Sequence, residues 1–183
     1  MSGCDFDALY LKQSYPIIFN IDLRNGMATM ITDYLQKTTI FMDLDARQLD
    51  DLAILCTRHE YYDGEILIEE NSEDDIDIFI LIEGSIEIVS RDTQLISDEV
   101  VISKNEKDIF GEIGWLTNRK RTAAVRCAGT VEVIRIDGVE LRNYVEVNTH
   151  VGYIVMRRMA INLSYNLAET SNLLKQILWN NNI

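Results

Sequence analysis

The sequence predicts a mainly β fold: a roll of short antiparallel strands, preceded by helices and followed by a long C-terminal helix. Three observations carry this. Between about residues 60 and 137 apolar side chains recur with period two, most plainly at Ile76, Ile78, Ile80 and Ile82. Glycines at 64, 84, 111 and 129 punctuate that span, as short strands joined by tight turns require. On either side the period is helical, with Met27, Met30, Ile31 and Tyr34 before it and Val151, Val155, Met159, Leu163 and Leu167 after it.

Composition bounds the rest. A chain of 183 residues with 47% hydrophobic content suits one domain, or one domain with a helical arm. Asp and Glu outnumber Lys and Arg by 30 to 17, a net charge of −13. That charge argues against nucleic acid and against an anionic membrane surface as partners. It leaves room for a local basic cluster to hold one phosphate, because exposed charges beyond about 8 Å are screened. Cys4, Cys56 and Cys127 have no metal-ligand spacing and read as free thiols of a reducing, cytoplasmic compartment. No apolar run of about 18 residues and no basic-then-apolar N-terminus is present, so neither a membrane-spanning helix nor a signal peptide is expected.

In chain order, residues 1 to 26 give no structural reading beyond an Asn25-Gly26 turn. Met27 to Leu35 has helical spacing. Asp45 with Gln48 forms a capping-box signature for a second helix, whose apolar stripe is Leu49, Leu52, Ala53 and Cys56. Strand character begins at Glu60. Ile66-Leu67-Ile68 follows the Asp63-Gly64 turn, and five of the seven residues from Glu69 to Asp75 are acidic, a solvated hairpin tip. That tip lacks the glycine and terminal glutamate of a calcium loop. The isoleucine strand is expected to be buried on both faces, because Phe79 and Leu81 occupy its other side. Gly84 is expected to break it, with Ile86 and Ile88 resuming. Val125 and then Thr130 to Ile136 supply the closing strands. Asp137 and Glu140 repeat the capping-box pattern before a short helix, Val139 to Tyr144. Asn148 or Thr149 then caps the long helix, which Leu174, Ile177 and Leu178 extend.

The stretch from Phe110 to Cys127 carries the chemistry. Gly111 permits a bend or a close approach that a Cβ would block. Glu112, when ionised, only accepts hydrogen bonds and suits a hydroxyl donor. Ile113 to Leu116 forms one helical turn. Arg121 is a planar fork of five donors, matched to a phosphate or a carboxylate. One acceptor, one fork and one helical turn together suit a sugar phosphate.

This stretch resembles the phosphate-binding cassette of cyclic-nucleotide-binding domains, the family of the protein kinase A regulatory subunit, the catabolite activator and the nucleotide-gated channels. Phe110, Gly111, Glu112, Ile113 to Leu116, Arg121, Thr122, Ala123 and Val125 stand at the places of the family pattern. The resemblance implies a double-stranded β-helix, a jelly-roll of the cupin-like kind, with N-terminal helices and a C-terminal lid helix. It divides the chain into an N-terminal extension, 1–37, and a nucleotide-binding domain, 38–183. Within that domain it puts the roll at about 60–137, the cassette at 110–123 and the C-terminal helices at 138–178. It implies a ligand site of Gly111, Glu112, Ile113, Arg121, Thr122 and Ala123, with cAMP or cGMP as ligand, no metal and no other cofactor. Glu112 would accept the ribose 2′-hydroxyl, Arg121 would pair with the cyclic phosphate, and backbone N–H groups near Gly111 and Ala123 would complete the cradle. The lid helix would close over the base and pass binding to an effector protein or a second copy. Thr122 does not choose between the two bases. Arg119 and Lys120 read as surface cations balancing nearby acids.

Two departures stand out: Asn71 and Lys107 occupy places where the family usually has glycine. Asn71 is expected to keep the turn, since Asn tolerates the left-handed backbone. No helix-turn-helix sequence follows the long helix, so a stand-alone sensor without transcription-factor function is expected. Two other classes compete. One is an interaction module that has lost its ligand, with the Val151 to Leu178 stripe as its docking face. The other is a cupin-type metalloenzyme, which the separated His59 and His150 do not equip. The chain is therefore expected not to be an enzyme.

Overall fold

The computed structural model describes residues 30–73, 75–91, 99–104 and 109–180. The readings at residues 1 to 26, Met27 and Lys107 lie outside these. The first helix, α1, covers 30–37, with Ile31 and Leu35 buried one turn apart. It ends where Thr38 turns both its N–H and its Oγ1–H onto the Tyr34 carbonyl, at 3.1 and 2.8 Å. Helix α2 (Ala46–Ala53) starts at the capping box expected from sequence. The Gln48 N–H donates to the Asp45 carboxylate at 2.9 Å, and the Asp45 N–H donates to the Gln48 side chain at 3.0 Å.

Six antiparallel strands follow: β1 (Cys56–Tyr61), β2 (Ile66–Ile68), β3 (Ile78–Arg91), β4 (Glu99–Lys104), β5 (Ile109–Phe110) and β6 (Ala124–Ile136). They pair in the order β1-β6-β3-β4, with β2 on β6 and β5 on β3. The first strand begins at Cys56 rather than Glu60, so Cys56 belongs to the sheet and not to the helix stripe. The two long strands, β3 and β6, pair along their lengths from Ile78 opposite Ile136 to Val89 opposite Ala124.

Gly84 does not end a strand. It sits inside β3 at φ 92°, where the register with β6 shifts. A Cβ there would lie 2.4 Å from the Thr130 carbonyl, so only glycine lets β6 stay paired past this point. Val125 and Thr130 to Ile136 likewise fall on one continuous strand rather than two, with Gly129 at φ 87° within it.

The pleat of β3 sorts its side chains between two cores. Ile78, Ile80 and Ile82 join Ile134 and Ile136 on the helix side, packed with Leu35, Phe41, Leu49, Leu141 and Val155. Phe79, Leu81 and Ile86 face the other way, with Phe110, Val125, Val131 and Val133. A strand between two cores reads as a continuous apolar run, and all five residues from Ile78 to Ile82 are buried.

The chain then forms α3 (Glu112–Thr117), β6, α4 (Gly138–Val147) and α5 (Thr149–Asn180). Asp137 caps α4 by accepting from the Val139 and Glu140 N–H groups at 3.0 and 2.9 Å. Val151, Val155 and Met159 of α5 pack into the helix-side core, and Arg158 donates to both carboxylate oxygens of Asp43. Those bonds hold the Asp43 carboxyl below its ordinary range. Beyond this point Leu167, Leu174, Ile177 and Leu178 of α5 are each more than half exposed.

Candidate functional site

The site is built where β5 runs into α3. Phe110 stacks on Phe79 with ring centroids 5.3 Å apart and fixes the strand end. Gly111 then adopts φ 87°, and a Cβ on it would lie 2.6 Å from the Asp77 carbonyl. The chain therefore turns against β3 at a place only glycine fits. Helix α3 lasts six residues and stops at Asn118, itself left-handed at φ 51°, whose N–H returns to the Gly114 carbonyl at 2.9 Å. Glu112, the first residue of this helix, is only 6% exposed.

Arg121 lies under this turn, 3% exposed. One terminal nitrogen donates to the Gly111 carbonyl at 2.9 Å. The other donates to the Asp77 carbonyl at 2.8 Å and to Asp75 Oδ1 at 3.3 Å. Gly114 makes room for it, because a Cβ there would meet the guanidinium at 2.9 Å. The arginine's own backbone is tied to the hairpin tip. Its N–H donates to the Ser72 carbonyl at 3.0 Å, and the Asn71 N–H donates to its carbonyl at 2.9 Å. Asn71 takes the left-handed conformation expected of it, at φ 65°. These bonds use both ends of the fork and leave Nε buried and, among the described residues, without a hydrogen-bond partner. Nearly all buried donors are satisfied, so an orphan of this kind is an exception in a folded protein.

The guanidinium borders a small cleft of about 90 Å³. Its walls are Gly111, Glu112, Ile113 and Gly114 from the turn and Arg121, Thr122 and Ala123 from the following loop. Its apolar floor is Ile68, Ile88, Phe110 and Val125. All six site residues taken from sequence thus line one cleft. Arg119 and Lys120 stay outside it on the adjoining surface, where Lys120 pairs with Glu73 at 2.7 Å, as the charge balance of the loop suggested.

Helix α5 contributes nothing to these walls. Its buried residues Val151, Val155 and Met159 belong to the helix-side core, so the lid does not line the cleft in the described conformation. His59 and His150 are equally remote. His59 shares a hydrogen bond with Thr57 Oγ1 at 2.8 Å on β1, and His150 is exposed at the start of α5. Among the described residues no cluster of His, Cys, Asp or Glu is arranged to hold a metal, and no helix is long and apolar enough to cross a membrane.

Sequence reasoning missed Asp75 and Asp77. Asp75 was read as part of a solvated tip, yet its carboxylate faces Arg121. Asp77 is 6% exposed, and its acid side chain interrupts a run of isoleucines, which was the available signal. Trp115 and Arg142 were missed as well. The Trp115 indole N–H donates to the Gly138 carbonyl at 2.7 Å, and Arg142 donates back to the Trp115 carbonyl at 2.6 Å.

A mainly antiparallel sheet with flanking helices thus carries a glycine-framed turn and a buried arginine at one cleft. Residues 58–148 match the family model of the cyclic nucleotide-binding domain, and through them the chain belongs to that family. Among curated proteins it is similar to the cAMP-dependent protein kinase regulatory subunit of Dictyostelium discoideum. The two are 28% identical over 108 residues, which is 57% of this chain and 32% of that one. The chain spans between 14% and 32% of the length of the curated relatives it matches. Among solved structures it is similar to a protein of Geobacter metallireducens assigned as cyclic nucleotide-binding, at TM-score 0.64 and 26% identity, covering 74% of this chain and 97% of that one. It is also similar to the cAMP-bound structure of PfPKA-R, at TM-score 0.62 and 27% identity, covering 82% and 49%.

Proposed function

We propose that the cleft between Gly111 and Val125 binds a cyclic purine mononucleotide, cAMP or cGMP, and that the chain acts as a cytoplasmic sensor module. The observation that carries this is the buried Arg121 on the cleft wall, whose Nε–H has no partner among the described residues. A cyclic phosphate supplies the missing acceptor and the balancing charge. In this reading Glu112 accepts the ribose 2′-hydroxyl, Thr122 and Ala123 border the phosphate, and the base lies along Ile68, Ile88 and Val125. Hydrogen bonds to charged groups contribute about 1.5–3 kcal/mol each. Two of them supply much of the roughly 8 kcal/mol of a micromolar ligand, and base packing adds the rest. The cAMP of the Dictyostelium and PfPKA-R relatives supports that nucleotide as the first to try. The buried thiols of Cys56 and Cys127 fit a reducing compartment.

Calorimetric titration of cAMP and cGMP into the purified chain tests the reading, with Glu112→Gln and Arg121→Met as controls. Saturable binding that is weakened in both variants is the expected result. No heat with either nucleotide, in a chain that unfolds cooperatively, overturns it.

A second reading keeps the fold without the ligand, as an interaction module. The exposed apolar face of α5, at Leu167, Leu174, Ile177 and Leu178, favours it. The same face is where an effector or a second copy docks if binding is retained. A nucleotide-independent dimer with no nucleotide response would distinguish this second reading.

A further inference from the structure

Beside the cleft lies a wider recess of about 750 Å³. Ile113, Arg121 and Thr122 stand in the walls of both. The other sides of the recess carry charge: Arg119 and Lys120 from the loop after α3, and Glu73 from the hairpin tip. The two segments are held against each other by the backbone. The Asn71 N–H donates to the Arg121 carbonyl at 2.9 Å, and the Arg121 N–H donates to the Ser72 carbonyl at 3.0 Å. Lys120 Nζ lies 2.7 Å from Glu73 Oε1. This pairing holds the Glu73 carboxyl below its ordinary range and the Lys120 ammonium above its own. Arg121 is likewise balanced by Asp75 at 3.3 Å. Arg119 is exposed and makes no ion pair with a described residue.

We propose that this recess is an encounter site for the anionic nucleotide, and that Arg119 is the charge that draws the nucleotide into it. The proposal rests on the nucleotide-binding reading and adds how the ligand arrives. A cyclic nucleotide is an anion and the chain has a net charge of −13, so the field of the whole molecule opposes its approach. Glu69 and Glu70 on the hairpin tip add to that opposition close to the site. Salt limits its range, since exposed charges act strongly only within about 8 Å at physiological ionic strength. Along the recess the charges that remain are Arg119, Lys120 and Glu73, and the last two cancel. Arg119 is left over, and it turns the final approach to Arg121 from repulsive to attractive. A recess of this size admits a whole mononucleotide, so the ligand is held by its charge before its phosphate reaches the buried guanidinium. Arg119 lines the recess and not the cleft, so it acts on arrival and not on the bound complex. Rim charges of this kind set association rates and their salt dependence, whereas desolvated charge pairs set dissociation.

Stopped-flow mixing of the full chain with a fluorescent derivative of cAMP, or of cGMP where calorimetry finds only that nucleotide, tests this. Displacement by unlabelled nucleotide gives the dissociation rate. Both rates are measured at about 10 mM and about 1 M salt, where charges reach about 30 Å and about 3 Å. At the lower salt Arg119→Gln is expected to slow association about three- to fivefold, and Arg119→Glu at least about tenfold, with dissociation changed less than about twofold. Glu73→Gln, which uncovers the Lys120 charge, is expected to speed association about twofold. At the higher salt every difference is expected to fall below about 1.5-fold. Both side chains are exposed, so the variants keep the fold. An Arg119→Gln association rate equal to that of wild type at low salt overturns the inference. So does a loss carried by faster dissociation, which would make Arg119 a contact of the bound ligand. A loss that persists at high salt, or a Glu73→Gln variant no faster than wild type, overturns it as well. Absence of any cyclic-nucleotide binding to wild type overturns the function reading and this inference together, whereas binding at a rate indifferent to Arg119 overturns this inference alone.

Discussion

Replacing Arg121 by methionine keeps the length of the side chain and removes all five donors. In the ligand-free protein this leaves the Asp77 carbonyl, which accepts from the guanidinium at 2.8 Å, without its partner, while the Gly111 carbonyl keeps the Trp115 N–H at 3.3 Å. An unsatisfied buried polar group costs about 1–3 kcal/mol. Removing a buried cation with one unpaired N–H recovers part of that, because its desolvation is no longer needed. The Asp75 carboxylate is partly exposed and rehydrates, so it adds little. The net expectation is a loss of about 1–2 kcal/mol of stability without any ligand. Urea unfolding of wild type and Arg121→Met, in nucleotide-free buffer, measures it. A variant within about 0.5 kcal/mol of wild type would refute the reasoning, because the arginine would then be a ligand group with no structural duty. The second readout is affinity. Loss of one charge-assisted bond, at about 1.5–3 kcal/mol, predicts a fall of roughly 10- to 150-fold in nucleotide binding.

Three further outcomes are expected. Gly111→Ala places a Cβ 2.6 Å from the Asp77 carbonyl at a left-handed φ of 87°, and the backbone term alone is about 1–2 kcal/mol, so denaturant unfolding should show a loss of at least about 2 kcal/mol. Trp115→Phe removes the indole donor to the Gly138 carbonyl, which keeps its α4 backbone bond, so the same assay should show a loss of about 0.5–1.5 kcal/mol, and a neutral variant would mean that water replaces the indole. Burial pushes the Cys56 thiol up to about 12. The unfolded chain therefore releases this proton near pH 9 while the native chain retains it, and stability falls as pH rises from about 9 toward 12. At pH 11 the loss is about two pKa units, or about 3 kcal/mol, which Cys56→Ala should abolish. An equal alkaline loss in that variant would assign the effect to other groups.

Much of this molecule is written locally. The Asp45–Gln48 capping box, the Asn71 turn, the strand at Ile66 to Ile68 and the doubly buried isoleucine strand all follow from residues within a few positions of one another. The errors have a common cause. Gly84 looks like a strand terminator, but the partner strand passes so close that glycine is needed to continue pairing. Cys56 fits the helical stripe of Leu49 and Leu52, yet α2 ends at Ala53 and Cys56 pairs with Ile136, far along the chain. The apolar periodicity of α5 runs unbroken through Leu167, but only the stretch through Met159 meets a core, since periodicity records a face and not what covers it.

The candidate site divides along the same line. The sequence by itself determined the identities and spacing from Phe110 to Val125, and with them the family, because a glycine turn, an acid and an arginine ten residues apart are a local pattern. The tertiary structure decided what that arginine does between ligands. Its partners, the Asp77 carbonyl and the Asp75 carboxylate, lie 44 and 46 residues away in sequence. A backbone carbonyl belongs to every residue and leaves no mark in composition or spacing. Only the pairing of β3 with β5, which sets Phe79 against Phe110, brings that carbonyl under Arg121 and lets the Asp77 carboxylate reach the start of α4.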